Sequence, residues 1–143
     1  MSDILTTEEI KKIIPNRYPI LYIDKVLEID PGKKIIAQKN VTINEDFFEN
    51  MQEPYMLGTL IVETLAQAGS ILILKSPQFE GETAYIGGFN KVEFLEKVRP
   101  GDVMSLSFEI IKLKGMVGTA DAIASVGDKP CVTCQFTFIV GAK

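Results

Sequence analysis

Histidine is absent from all 143 residues of this chain. That removes the one side chain whose unperturbed titration lies near neutrality, and with it the commonest general base. Cysteine is nearly absent too. Cys131 and Cys134 form a lone C-x-x-C, and one such pair without histidine cannot fill a four-coordinate zinc site. The flanking residues read as strand, where positions three apart point to opposite faces. The pair is therefore expected to be two strand thiols, with no redox or metal role. No basic run exceeds a lysine pair and the net charge is −4, so nucleic-acid binding is not expected. The longest apolar stretch is interrupted by Glu63, Gln67 and Ser70, which excludes a membrane-spanning helix there. Met1 to Thr6 lacks a basic-then-apolar leader, so the expected location is cytoplasmic. Neither a repeat nor a low-complexity segment is visible, and no metal or cofactor is called for.

What remains is 46% hydrophobic and 24% charged, enough for a real core in one domain spanning 1–143. Thr6-Thr-Glu-Glu9 fits a capping box ahead of Ile10, Ile13 and Ile14, so a short helix is expected, ended by Pro15. Strands are expected over Ile20–Ile29 and Lys34–Ile43, joined by the turn Asp30-Pro-Gly-Lys33. Asn44–Leu57 reads as an irregular loop. Gly58 to about Lys75 is apolar nearly all round and predicts a buried helix. After the turn-like Ser76–Glu82, strands are expected at Thr83–Gly88, Val92–Lys97, Val103–Leu113, Thr119–Val126 and Cys131–Val140, with turns at Arg99–Asp102, Gly115–Gly118 and Gly127–Pro130. Connections this short favour an antiparallel sheet, so the expected class is α+β, a sheet wrapped around one long helix. One sheet covers only part of a helix that is apolar all round, which predicts at least a homodimer.

Thr59, Glu63, Gln67 and Ser70 are spaced by four, four and three along that helix. Such spacing draws one polar line on an apolar rod. The line is either a stripe facing solvent or a neighbouring subunit, or the border of a buried pocket. In the second case Glu63 is the acid or base and Gln67 orients it or a water. A carboxylate among apolar neighbours is costly unless paired or protonated, which is what singles out Glu63. The helix start at Gly58-Thr59 offers free N–H groups and a positive dipole end to a developing oxyanion. With no side chain on Gly58, a ligand has close access to that backbone.

These residues also resemble a known family. Pro15-Asn-Arg-Tyr-Pro-Ile-Leu-Tyr-Ile-Asp24, Val41-Thr-Ile-Asn-Glu-Asp-Phe-Phe48, Pro54-Tyr-Met-Leu-Gly58-Thr-Leu-Ile-Val-Glu63-Thr-Leu-Ala-Gln67, Gly88-Phe-Asn-Lys-Val-Glu-Phe94 and Val98-Arg-Pro-Gly-Asp102 resemble, in order, motifs of the bacterial 3-hydroxyacyl-[acyl-carrier-protein] dehydratases. The resemblance implies a hotdog fold and an acyl thioester substrate carried by acyl carrier protein or coenzyme A. It also implies a site in which a loop His removes a proton and a helix carboxylate from the other subunit assists hydroxyl departure. Glu63 matches that carboxylate. Tyr55, Gly58, Thr59 and Gln67 are the expected substrate-binding residues around it.

The departures from the family pattern are specific. Family members carry Gly-His-Phe-Pro-Gly-x-Pro before the helix, whereas Phe47-Phe48-Glu-Asn-Met-Gln-Glu-Pro54 is about two residues shorter and has no His. Asn16 replaces the His of the opening motif, and Leu57 replaces the proline ahead of the helix glycine. Glu93, Leu95 and Glu96 stand where the family is usually basic, changing a surface suited to an acidic carrier. Four functions fit these residues. They are a dehydratase with altered machinery, a His-less subunit completed by a His-bearing homologue, a thioesterase using Glu63, and an acyl-binding protein without chemistry.

Overall fold

The computed structural model describes residues 4–142. Thr6 and Glu9 form the expected capping box, and helix α1 spans Thr7–Lys11. Strands β1 (Lys25–Asp30) and β2 (Lys34–Asn40) follow. The long helix α2 runs Gly58–Leu74. Then come β3 (Glu82–Phe94), β4 (Val103–Lys114), β5 (Val117–Val126) and β6 (Lys129–Ala142). All pairs are antiparallel, and the strand order is β1-β2-β4-β5-β6-β3. The α+β class and the sheet around a helix are as expected.

Alternating side chains on β4, β5 and β6 send Phe108, Ala122, Phe136 and Phe138 inward, where they are buried. Leu65, Ala68, Ile71 and Leu72 of α2 share that core at zero exposure. Each large side chain so buried contributes roughly 1.5–3 kcal/mol. Phe108 lies so close to α2 that a Cβ on Gly69 would sit 2.3 Å from its ring. Glycine at that position lets helix and sheet approach.

Several expected boundaries are corrected. Ile20–Asp24 is not strand; β1 begins at Lys25, because the Ile20 and Tyr22 backbones bond a side chain of α2 instead of a ladder partner. β2 stops at Asn40 rather than Ile43. The two strands expected between Thr83 and Lys97 are one, with register shifts at Ile86/Gly88 and Asn90/Glu93 absorbing the glycines and Asn90. Gly118 lies inside β5 rather than in a turn, and a Cβ there would meet the Phe138 ring at 2.2 Å. Cys131 and Cys134 do not divide between a wet and a dry face: both are free and buried. Cys131 falls at the register shift facing Ala124/Ser125, and its carbonyl accepts from the N–H groups of Leu95 and Glu96.

Candidate functional site

Ten of the 17 residues of α2 are buried by this chain's own sheet and loops. The partly exposed line along the helix passes through Thr59, Glu63, Ala66 and Ser70. Gln67 does not belong to it. Its side chain turns inward, with 3% exposure, and reaches the segment ahead of β1. Gln67 Nε2 donates to the Ile20 carbonyl at 2.7 Å and to Glu63 Oε2 at 2.8 Å, while Oε1 accepts from the Tyr22 N–H at 2.9 Å. The amide thus replaces ladder bonds for Ile20–Tyr22 and holds the half-buried carboxylate of Glu63 at the same time.

Tyr22, on that segment, is part of the Glu63 environment. Burial, then the charges of Asp46, Glu63 and Glu45, push its phenol above the ordinary value. Its ring meets Phe47 edge-on at 5.9 Å, and Lys39 Nζ lies 5.4 Å from the ring centre. Lys39 is buried and pairs with Glu45 at 2.9 Å; the same Glu45 oxygen accepts from the Thr42 N–H. This ion pair fixes the start of the 3-10 turn Asp46–Phe48, from which the loop to α2 departs. The loop carries Asn50 at φ 66°, in the left-handed region.

The helix start is different. No side chain caps α2, and among the described residues the N–H groups of Gly58 and Thr59 have no hydrogen-bond acceptor. They border a cavity of about 770 Å³ lined by Tyr55, Leu57, Thr59, Phe94, Lys97 and Arg99, among others. Lys97 Nζ sits 4.6 Å from the centre of the Tyr55 ring. The expected open approach to Gly58 is occupied: a Cβ there would lie 2.3 Å from Phe94, so the Phe94 ring covers the helix start. Phe94 is itself 60% exposed.

The five expected site residues therefore fall into two groups. Tyr55, Gly58 and Thr59 border the cavity at the helix start. Glu63 and Gln67 form a bonded pair one turn and more along α2, roughly 6 Å beyond Thr59 by helix rise, and do not line that cavity. Tyr22 and Phe94 were missed, since both reach the helix from distant segments and carry no local spacing signal. Among the described residues no cluster of three or more Cys, Asp or Glu is arranged to hold a metal, and no helix is long and apolar enough to cross a membrane.

A FabA-like domain matches residues 14–135. The 3-hydroxyacyl-[acyl-carrier-protein] dehydratase FabZ of Enterococcus faecalis is 60% identical over 143 residues, covering 99% of each chain. This chain belongs to the FabZ dehydratase family. The FabZ of Pediococcus pentosaceus is 55% identical over 141 residues, 97% of this chain and 95% of the other. Among solved structures, the dehydratase heterocomplex ApeI:P from Xenorhabdus doucetiae aligns with a TM-score of 0.77 over 94% of this chain and 91% of that one, at 15% identity. At such identity the likeness shows the fold, which is the hotdog fold.

Proposed function

We propose that this FabZ-family chain acts on 3-hydroxyacyl thioesters of acyl carrier protein as a dehydratase, with Glu63 as its acid–base group. The observation that carries the reading is the amide-held Glu63 on a helix whose uncapped start opens on a cavity. The thioester carbonyl lies against the N–H groups of Gly58 and Thr59, where the dipole and free donors favour developing negative charge. Tyr55 and Thr59 border the acyl path, and Phe94 swings away to admit it. The C2–H and C3–O bonds break and a C=C bond forms. Glu63 gives its proton to the departing hydroxyl, which leaves as water, and the C2 proton returns to the carboxylate. One carboxylate thus closes the cycle, without the roughly 10²–10⁴-fold that a separate positioned base supplies.

A second reading is favoured by a specific observation. The loop from Glu49 to Pro54 carries no His; beside Asn50 and Gln52 its ionisable side chains are the carboxylates of Glu49 and Glu53, both exposed to solvent. In that reading Glu63 serves a site whose base is a His on a homologous partner chain. A dehydratase that forms a heterocomplex shares this fold. This chain covers much of the helix itself, and the surface that suits assembly is β3. That strand ends the sheet and presents 13 residues of edge, with Tyr85 and Phe89 exposed, which suits pairing with a second copy or a homologue. A single domain and a cytoplasmic location belong to the same proposal.

Purified chain incubated with 3-hydroxyacyl thioesters of carrier protein and of coenzyme A tests it, followed by absorbance of the enoyl product. Enoyl formation by the chain alone supports the first reading. Formation only after adding a His-bearing homologue supports the second. Release of free thiol instead marks a thioesterase, and saturable binding with no chemistry marks an acyl-binding protein; either result sinks both.

A further inference from the structure

The Gln67 amide uses both of its N–H donors and accepts once at Oε1. A backbone N–H only donates and a backbone carbonyl only accepts. Tyr22 N–H at 2.9 Å therefore identifies one end of the amide as oxygen, and the Ile20 carbonyl at 2.7 Å identifies the other as NH2. A flipped amide would break both bonds and is excluded on those grounds. The second Nε2 hydrogen has one remaining direction, toward Glu63 Oε2 at 2.8 Å. Hence Oε2 is bound to be an acceptor, whatever the state of the carboxyl group. A carboxylic acid accepts through its carbonyl oxygen and donates through its hydroxyl, so a proton on Glu63 resides on the other oxygen.

We propose that Gln67 is a positioning residue that holds Glu63 Oε2 as acceptor and assigns the transferable proton to Oε1. The inference rests on Glu63 being the acid of the proposed reaction. In the dehydration direction the Oε1–H bond breaks as the substrate C3–O bond breaks, and the proton leaves in water. Oε2 keeps its bond to Gln67 throughout, so the carboxyl group does not rotate between turnovers. Because the amide is tied to backbone at both ends, it carries the geometry of the Ile20–Tyr22 segment directly to the reacting atom.

The decisive experiment does not need turnover. In the full 15N-labelled chain, the two side-chain NH2 protons of Gln67 are assigned through bonds and compared with those in Glu63→Leu and Glu63→Gln. Glu63 is only partly buried, so both variants are expected to fold. In Glu63→Leu one Nε2 proton moves upfield and exchanges faster with solvent, while its partner, held by Ile20, stays. Glu63→Gln keeps an acceptor oxygen and keeps the downfield position. Two unmoved protons in Glu63→Leu overturn the assignment. Kinetics give the functional half: Gln67→Met, which keeps volume but loses both donor and acceptor, is expected to lower kcat about tenfold or more, part of the roughly 10²–10⁴-fold that a positioned acid supplies. KM should stay within about threefold, since the amide holds the acid rather than the acyl chain. A loss carried by KM overturns the positioning role. Absence of turnover in the unaltered chain sinks the acid reading while the amide protons still report whether the placement is right.

Discussion

The two ends of α2 are built in opposite ways. At the C-terminal end the carbonyls of Ile71, Leu72 and Ile73 are all bonded. The Lys75 N–H returns to the Ile71 and Ile73 carbonyls, and the Ser76 N–H to that of Ile73. Ser76 Oγ donates to the Leu72 carbonyl at 2.6 Å and accepts from the Gly32 N–H at 2.7 Å, locking the β1–β2 turn to the helix. At the N-terminal end nothing caps the helix, and the free N–H groups face a cavity. Helix ends are ordinarily satisfied, so an open one beside a held carboxylate is where a ligand completes the bonding. The sealed end supplies the stability that the open end forgoes.

This contrast is open to direct test. The largest stability effect is expected in the sealed core. Gly69→Ala drives a methyl into the Phe108 ring, and overpacking of this kind typically costs about 1–3 kcal/mol, read as a fall in the urea midpoint. Next comes Ser76→Ala, which strands the Gly32 N–H and the Leu72 carbonyl. A loss of about 1–2 kcal/mol is expected, with acyl-thioester affinity unchanged. At the open end Thr59→Ala should shift stability by no more than about 0.5 kcal/mol while weakening acyl-thioester binding measured by calorimetry; equal stability losses at the two ends would erase the contrast.

The smallest effect is an alkaline one. Burial, with a lesser contribution from Asp121, pushes the Cys134 thiol up to about 11. A raised folded-state pKa means that the folded protein keeps the proton longer than the unfolded chain does. The associated stability is present below the ordinary thiol range and is lost as pH rises through it toward 11. Cys134→Ala should flatten that alkaline limb of the stability curve. In the unaltered protein, thiol reagents near pH ~8 should label Cys134 only as fast as the chain opens.

Much of this was legible because local chemistry settled it. The capping box at Thr6-Glu9, the Pro-Gly turn at Pro31-Gly32 and the apolar run from Gly58 each acted alone, and α2 ends within one residue of its expected limit. Glu63 and Gln67 were legible as an i, i+4 pair. What escaped depended on distant partners. Ile20–Asp24 has strand composition, yet its backbone bonds a glutamine side chain 45 residues away. Gly118 carries a turn residue's usual signal, yet it makes room for Phe138. Gln67 shares a polar spacing with Ser70, yet only the fold reveals that it faces inward and leaves Ala66 on the exposed line. Phe94 over Gly58 depends on a register shift late in β3.

The central claim is that Glu63 is the acid–base group of a dehydratase-like site. Single-turnover conversion of 3-hydroxyacyl carrier protein by the unaltered chain and by Glu63→Gln, with thioester affinity measured on the same samples, tests it most directly. Conversion by the unaltered chain, and a loss of at least about a hundredfold in Glu63→Gln at unchanged affinity, is the predicted result. Equal conversion by both proteins, or binding without conversion by the unaltered chain even with a His-bearing homologue present, would contradict it.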